Sequence, residues 1–202
     1  MAQADSRRAA AEDLARAGGR DAEVQIVEYD AGWPAAFQAE RERLAPLLPA
    51  AARLHHFGST AVPGLAAKPV IDMIALVDDL DAPIATLVQE AGYQYPAAFN
   101  ATLAHRRFLC YPSAARRTHH LHLVDRQDEL ERRLRFRDRL RADPAFANEY
   151  AALKRTLAER YRGDRERYTE AKSGFVKRHE PSGLESPAAA PAEAEHRSEA
   201  PS

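Results

Sequence analysis

A single cysteine, Cys110, is the whole thiol content of the 202-residue chain. One thiol can build neither an internal disulfide framework nor a thiolate-rich zinc site, so a reducing compartment is the expectation. No apolar run approaches the roughly 18 residues that a membrane-spanning helix needs. The segment after Met1 also lacks the apolar core of a signal peptide. A cytoplasmic setting without a membrane partner is therefore expected. An excess of one charge sign is missing too: 29 Lys and Arg stand against 30 Asp and Glu, a net charge of -1. That balance offers no global field for nucleic acid. Nucleic acid is thus not the expected partner, and any phosphate recognition must come from a local cluster of bases. The absence of a GxxxxGK[ST] loop excludes a P-loop kinase.

The length is that of one domain, with enough hydrophobic residues for a core although many are alanine. Residues 1–21 alternate Ala with charges and stop at Gly18-Gly19, which reads as an N-terminal appendage with a marginal helix. Residues 22–179 read as the domain. Residues 180–202 are Ala, Pro, Glu and Ser without periodicity and read as a disordered tail.

Inside the domain, Val24–Val27 alternates like a short strand, and Gly32-Trp33-Pro34 opens a helix running to about Leu48. Asp81-Ala82-Pro83 opens another helix, which Gly92 ends, and Tyr93 and Tyr95 suggest a strand. Arg107–Tyr111 and His119–Val124 read as two strands around a polar turn. From Gln127 onward the spacing predicts three helices. Leu130, Leu134, Phe136 and Leu140 form the stripe of the first, and Phe146, Tyr150, Leu153 and Leu157 that of the second. The expected architecture is α+β, a small mixed sheet with helices packed on it and a helical C-terminal third.

The stretch from His55 to Val77 carries the most chemistry. A short strand (Arg53 to Phe57) breaks at Gly58-Ser59-Thr60, passes a Pro63-Gly64 corner and Lys68-Pro69, and enters the apolar strand Val70–Val77 with Asp72 inside it. A lone acid in an apolar run is expensive to bury unless a cation or donors meet it. A Gly-Ser turn offers N–H groups and a hydroxyl, the equipment of an anion site. Gly and Ser are equally the residues of an ordinary turn, and a carboxylate satisfied by backbone N–H groups or a buried Arg is the plain alternative for Asp72.

The run HxGSTAVPGLxAKPxID, from His56 to Asp72, resembles that of the GrpB (glutamate-rich protein B) family, also known as UPF0157, over roughly residues 22–179. Through it the chain is similar to the nucleotidyltransferase superfamily. The resemblance implies a nucleotidyltransferase-like fold and binding of a nucleotide or other phosphorylated small molecule, with transfer of a nucleotidyl group as the activity. It also extends to the region fused after dephospho-CoA kinase in some bacterial proteins, which implies a non-catalytic or partner-supporting role as the alternative.

In that superfamily the acid matching Asp72 and the acid two residues later hold divalent metals; here the second position is Ile74. One carboxylate cannot bridge two cations. The expectation is at most one divalent ion on Asp72: Mg²⁺ or Mn²⁺, or Zn²⁺ or Ni²⁺ if His120 and His122 ligate. His120 and His122 share one strand face, and the resemblance implies that this strand lies near Asp72. Either imidazole could instead serve as acid–base, His122 beside Asp72 as the catalytic pair, or both could be plain half-exposed strand residues.

The expected phosphate or ligand contacts are His56, Gly58, Ser59, Thr60, Lys68, Arg107, His120, Lys154 and Lys172. Thr60 could instead cap the turn. Arg137 and Arg141, four apart on a helix otherwise laced with ion pairs, offer a lesser phosphate-binding side.

Overall fold

Residues that alternate in polarity along four short segments pair into one mixed sheet in the computed structural model, which describes residues 23–179. The strands are β1 (His55–Phe57), β2 (Ile71–Leu76), β3 (Arg106–Pro112) and β4 (Arg117–Val124), in the order β1-β2-β4-β3. The central pair β2–β4 is parallel and both outer pairs are antiparallel. A parallel pair needs a crossover; here it contains α2 (Ile84–Gln89), α3 (Ala97–Asn100) and β3.

Alternation gives the sheet two unlike faces. Ile71, Met73 and Ala75 of β2 join Leu109, Leu121 and Leu123 in the main core, which α1 (Trp33–Leu44) covers with Trp33 and Leu44. Pro34 sits in the first turn of α1, where its missing N–H costs nothing, and Asp30 Oδ1 accepts from the Gly32 N–H at 2.7 Å to shape the entrance. The opposite face carries Ile74 and Val124, packed on Leu130, and separately Phe108 and Cys110, packed near Ala114. Asp72, His120 and His122 project from that same face.

The C-terminal third is helical, as expected: α4 (Gln127–Ala142), α5 (Pro144–Arg160) and α6 (Arg165–His179). Asp143 caps α5 by accepting from the Phe146 N–H at 3.0 Å. Phe136, Phe146, Tyr150 and Phe175 pack together with Val62 and Leu65. The loop after the Gly-Ser turn is thereby pinned under the helices.

The α+β expectation holds, with local corrections. Val24–Val27 contributes one bridge, Val27 to Ala67, and no strand. The expected strand at Tyr93–Tyr95 is likewise a single bridge, Gln94 to Cys110, and Ala97–Asn100 forms an unexpected short helix. In both places one isolated bridge satisfies the backbone, between two loops at Val27 and on the edge strand β3 at Gln94, too little for a ladder. The readings of residues 1–21 as an appendage and 180–202 as a disordered tail lie outside the described residues.

Candidate functional site

Gly58 is the residue on which the site turns. Its φ is +71°, a region that side chains rarely adopt. A Cβ placed on it would lie 2.5 Å from Asp72 Oδ2. Only glycine allows the loop to press against that carboxylate. The chain then makes one 3-10 turn, Ser59–Ala61.

Beneath the turn, His56 Nε2 and Thr60 Oγ1 are 3.0 Å apart, and the Thr60 hydroxyl donates to Val70 O at 3.3 Å. The His56 ring stacks on Phe37, with centroids 4.8 Å apart. Burial, reinforced by Arg141 and Arg137 against the pull of Asp72, takes its pKa down to about 4. From α4, Arg141 donates to Ala61 O through Nε and a terminal nitrogen, at 2.9 and 2.7 Å, and Arg137 donates to His56 O at 2.8 Å. These contacts fix the loop from its inner side.

The parallel register sets Asp72 opposite His120 and Ile74 opposite His122. His120 Nδ1 donates to Asp72 Oδ1 at 2.9 Å. Burial lowers the pKa of both imidazoles, Asp72 only partly opposing this, and Arg106 adds to the lowering at His122. Both rings are therefore neutral near pH 7. Burial pushes the Asp72 carboxyl up, but the His120 hydrogen bond and surrounding positive charge outweigh it and hold it at about 2. With neutral rings, the donated N–H and Lys172 keep Asp72 ionised. Its side chain is 29% exposed and that of His120 12%, so the carboxylate is reachable from outside. One donor atom from each of Asp72, His120 and His122 lies within 4.8 Å of the others.

Around this carboxylate stand bases. Lys154, 2% exposed, donates to Ser59 Oγ at 3.0 Å and to Ala66 O. Lys68 and Lys172 both stand over the Tyr168 ring, their Nζ atoms 5.1 and 5.7 Å from its centroid. Neither forms an ion pair with a carboxylate among the described residues. Burial lowers Lys68 to about 7, with Lys172 and Arg165 adding to the effect and Asp72 opposing it. Lys154 falls to about 7 through burial, then Lys172 and Arg155.

The residues expected from the sequence thus divide. Gly58, Ser59, Lys68, Asp72, His120, His122, Lys154 and Lys172 come together. Arg107 does not: it lies on the opposite sheet face and forms a two-pronged pair with Asp81, at 2.7 and 3.1 Å. His56 and Thr60 are also corrected, since both are buried and spent on each other and on Val70 O. Arg137 and Arg141 bind the loop's carbonyls, so their spacing marked the loop and not a phosphate. Tyr168 and Arg165 were not foreseen; a tyrosine and an arginine in a charged helix carry no distinguishing pattern.

Among the described residues no helix is long and apolar enough to cross a membrane. The family model described as GrpB protein matches residues 23–181. The UPF0157 protein YqkA of Bacillus subtilis is 36% identical over 156 residues, 76% of this chain and 45% of that protein. A dephospho-CoA kinase of Mycolicibacterium paratuberculosis is 31% identical over 186 residues, 77% of this chain and 45% of that one. The chain spans about half the length of both relatives. The crystal structure of the conserved protein GrpB from Enterococcus faecalis aligns with a TM-score of 0.64 at 32% identity, covering 76% of this chain and 98% of that chain. The loop pressed on an acidic strand, the mixed sheet and the helical third are accordingly those of a GrpB protein, and the chain belongs to that family.

Proposed function

We propose that the chain binds a phosphorylated small molecule of nucleotide class, its phosphates held by the Gly58–Ser59 turn, Lys68 and Lys172 beside Asp72. The observation that carries this reading is the gathering of mutually repelling lysines around a single acid. Burial first, and the charge of Lys172 after it, opposes protonation of Lys68 and Lys154. A bound polyanion reverses that penalty and turns the cluster into charge-assisted hydrogen bonding. Ser59 Oγ accepts from Lys154 and keeps its own O–H to donate. The same support extends to inorganic phosphate groups on any small carrier, and a nucleotide is the class that the family resemblance adds.

Two-cation nucleotidyl transfer fits the residues poorly. It needs bridging carboxylates, but Ile74 is fully buried in an apolar cluster with Val124 and Leu130, and Asp125 faces His105 at 3.2 Å. The residues therefore favour binding over nucleotidyl transfer.

Isothermal titration with ATP, ADP and pyrophosphate tests it. A ligand bound by the native chain should lose about tenfold or more in affinity in Lys68→Met or Lys172→Met, the worth of one hydrogen bond to a charged group. Silence toward every phosphorylated ligand overturns the reading. The match to about half of a dephospho-CoA kinase favours a second one, a domain that supports an adjoining phosphate-transferring domain. It predicts that silence, together with a stability gain on mixing with such a domain.

A further inference from the structure

Three polar side chains form an island among apolar residues on one sheet face, with His55 and Arg106 at its margins. Ile74, Val124 and Leu130 flank them on one side, and Phe108, Cys110 and Ala114 on the other. The rings of His120 and His122 pack on Phe108, with centroids 5.1 and 5.3 Å away, and Phe57 meets His122 at 5.2 Å. Apolar surroundings make an unsatisfied imidazole nitrogen costly. Yet His120 Nε2 and His122 Nδ1 are both buried without a hydrogen-bond partner among the described residues. An island built only for stability would have closed those positions.

We infer that Asp72, His120 and His122 bind one divalent transition-metal ion of the zinc class, in place of a pair of magnesium ions. Two observations join the unpartnered nitrogens in this. The donors come from two hydrogen-bonded strands in fixed register, Asp72 beside His120 and His122 two residues on, so rigid elements hold them. One donor atom from each lies within 4.8 Å of the others. Donors on one tetrahedral ion with bonds of about 2.0–2.2 Å lie about 3.3–3.6 Å apart, so the three need only draw together. Ligation by His120 through Nδ1 would replace the hydrogen bond it gives Asp72, whereas its Nε2 is already without a partner.

The chemistry of the set then selects the ion. Two imidazoles and one carboxylate suit Zn²⁺ and its first-row neighbours, whereas Mg²⁺ prefers oxygen and water. Three protein ligands also leave a position open. Asp72 Oδ2 lies against the Gly58 loop while the side chain keeps 29% exposure, so the open position would be within reach of a phosphate oxygen or water. A cation there would neutralise Asp72 toward an incoming anion.

The inference concerns the same site as the phosphorylated-ligand reading but does not need that ligand, and its test is run without one. The full chain is stripped with chelator, then titrated with Co²⁺ by visible absorption and with Zn²⁺ by calorimetry. The expected result is one equivalent of Co²⁺ with ligand-field bands, displaced by Zn²⁺ and not by millimolar Mg²⁺. His120→Ala and His122→Ala should each weaken binding by more than the about 10–100-fold that a supporting contact is worth. His122→Gln, closer in size and polarity, serves as the second variant if the alanine chain melts early. Arg107→Met, on the opposite sheet face and paired with Asp81, should bind metal as the native chain does, which separates loss of the site from a general effect of substitution. A folded native chain that takes up no Co²⁺ or Zn²⁺ overturns the inference. So does Mg²⁺ competing on equal terms, or histidine variants that bind as well as the native chain.

Discussion

The two faces of β2 and β4 are made from the same two strands and obey different rules. On the α1 side, Ile71, Met73, Ala75, Leu121 and Leu123 are each at most 3% exposed and belong to one apolar cluster, with His56 and His119 as its polar neighbours in the register. One residue over, the opposite side sets Asp72, His120 and His122 among Ile74, Val124 and Phe108. The first face gains by removing apolar surface from water. The second accepts polar groups at a cost and holds them by hydrogen bonds and register. The difference teaches that a stable scaffold and a polar site can share one ladder because the side-chain period is two. The backbone bonds that hold the core also fix the spacing of the site.

The sharpest way to break this comparison is to delete volume on each face. Leu121→Ala should cost about 2–5 kcal/mol, transfer loss plus cavity. His122→Leu should be near neutral or stabilising, because an apolar group replaces a buried nitrogen that lacks a partner. Urea midpoints check both. A loss at His122→Leu as large as at Leu121→Ala would mean that the polar island supports the fold.

Acid should act next, through His56. Its pKa in the folded chain, about 4, lies below the ordinary value of 6.5, so protonation favours the unfolded chain. Stability is fully present above pH 6.5 and falls as pH drops toward 4, by on the order of 3 kcal/mol for this buried group. His120 and His122 are lowered in the same direction and add to the loss. Melting temperatures at pH 7.5, 5.5 and 4.5 measure it, and His56→Gln should flatten the profile.

A smaller effect is expected at Gly58. Gly58→Ala forces a side chain into φ +71° and against Asp72, a strain on the order of 1–3 kcal/mol. Its consequence should be larger for ligand than for stability, since the loop must lift from Asp72. If phosphate binding survives Gly58→Ala unchanged, the contact between turn and carboxylate is not part of the site.

Phosphate affinity should also weaken as pH rises through about 7, where Lys68 and Lys154 lose their protons. Calorimetry at pH 6.5 and 8.5 reads the change, and an affinity that rises with pH would assign the phosphate to other groups. Smallest is Arg141→Met, about 1 kcal/mol for a hydrogen-bonded staple on Ala61 O with a partly exposed side chain.

Much of this was legible because it is local. Gly58-Ser59 followed by an apolar strand with one acid identified the turn and Asp72, and alternation put His120 and His122 on one face. The stripes of α4 and α5 followed from spacing, with Phe136, Leu140, Phe146 and Tyr150 all buried. Arg107 and His56 were misplaced for a shared reason. Composition shows that a base or an imidazole is present, while the side of the sheet it occupies follows from strand registers and from partners such as Asp81 and Thr60.

The sequence by itself determined which segments pair or coil, which residues share a strand face, and that a two-carboxylate metal set is missing at Ile74. Only the tertiary structure decided what meets across those elements. The parallel register of β2 with β4 brought Asp72 to His120, and helix packing on Val62 and Leu65 brought Lys154 to the loop. Periodicity is a property of neighbours along the chain, whereas those encounters join residues separated by 48 and 95 positions. Their geometry is set by how sheet and helices close over a common core.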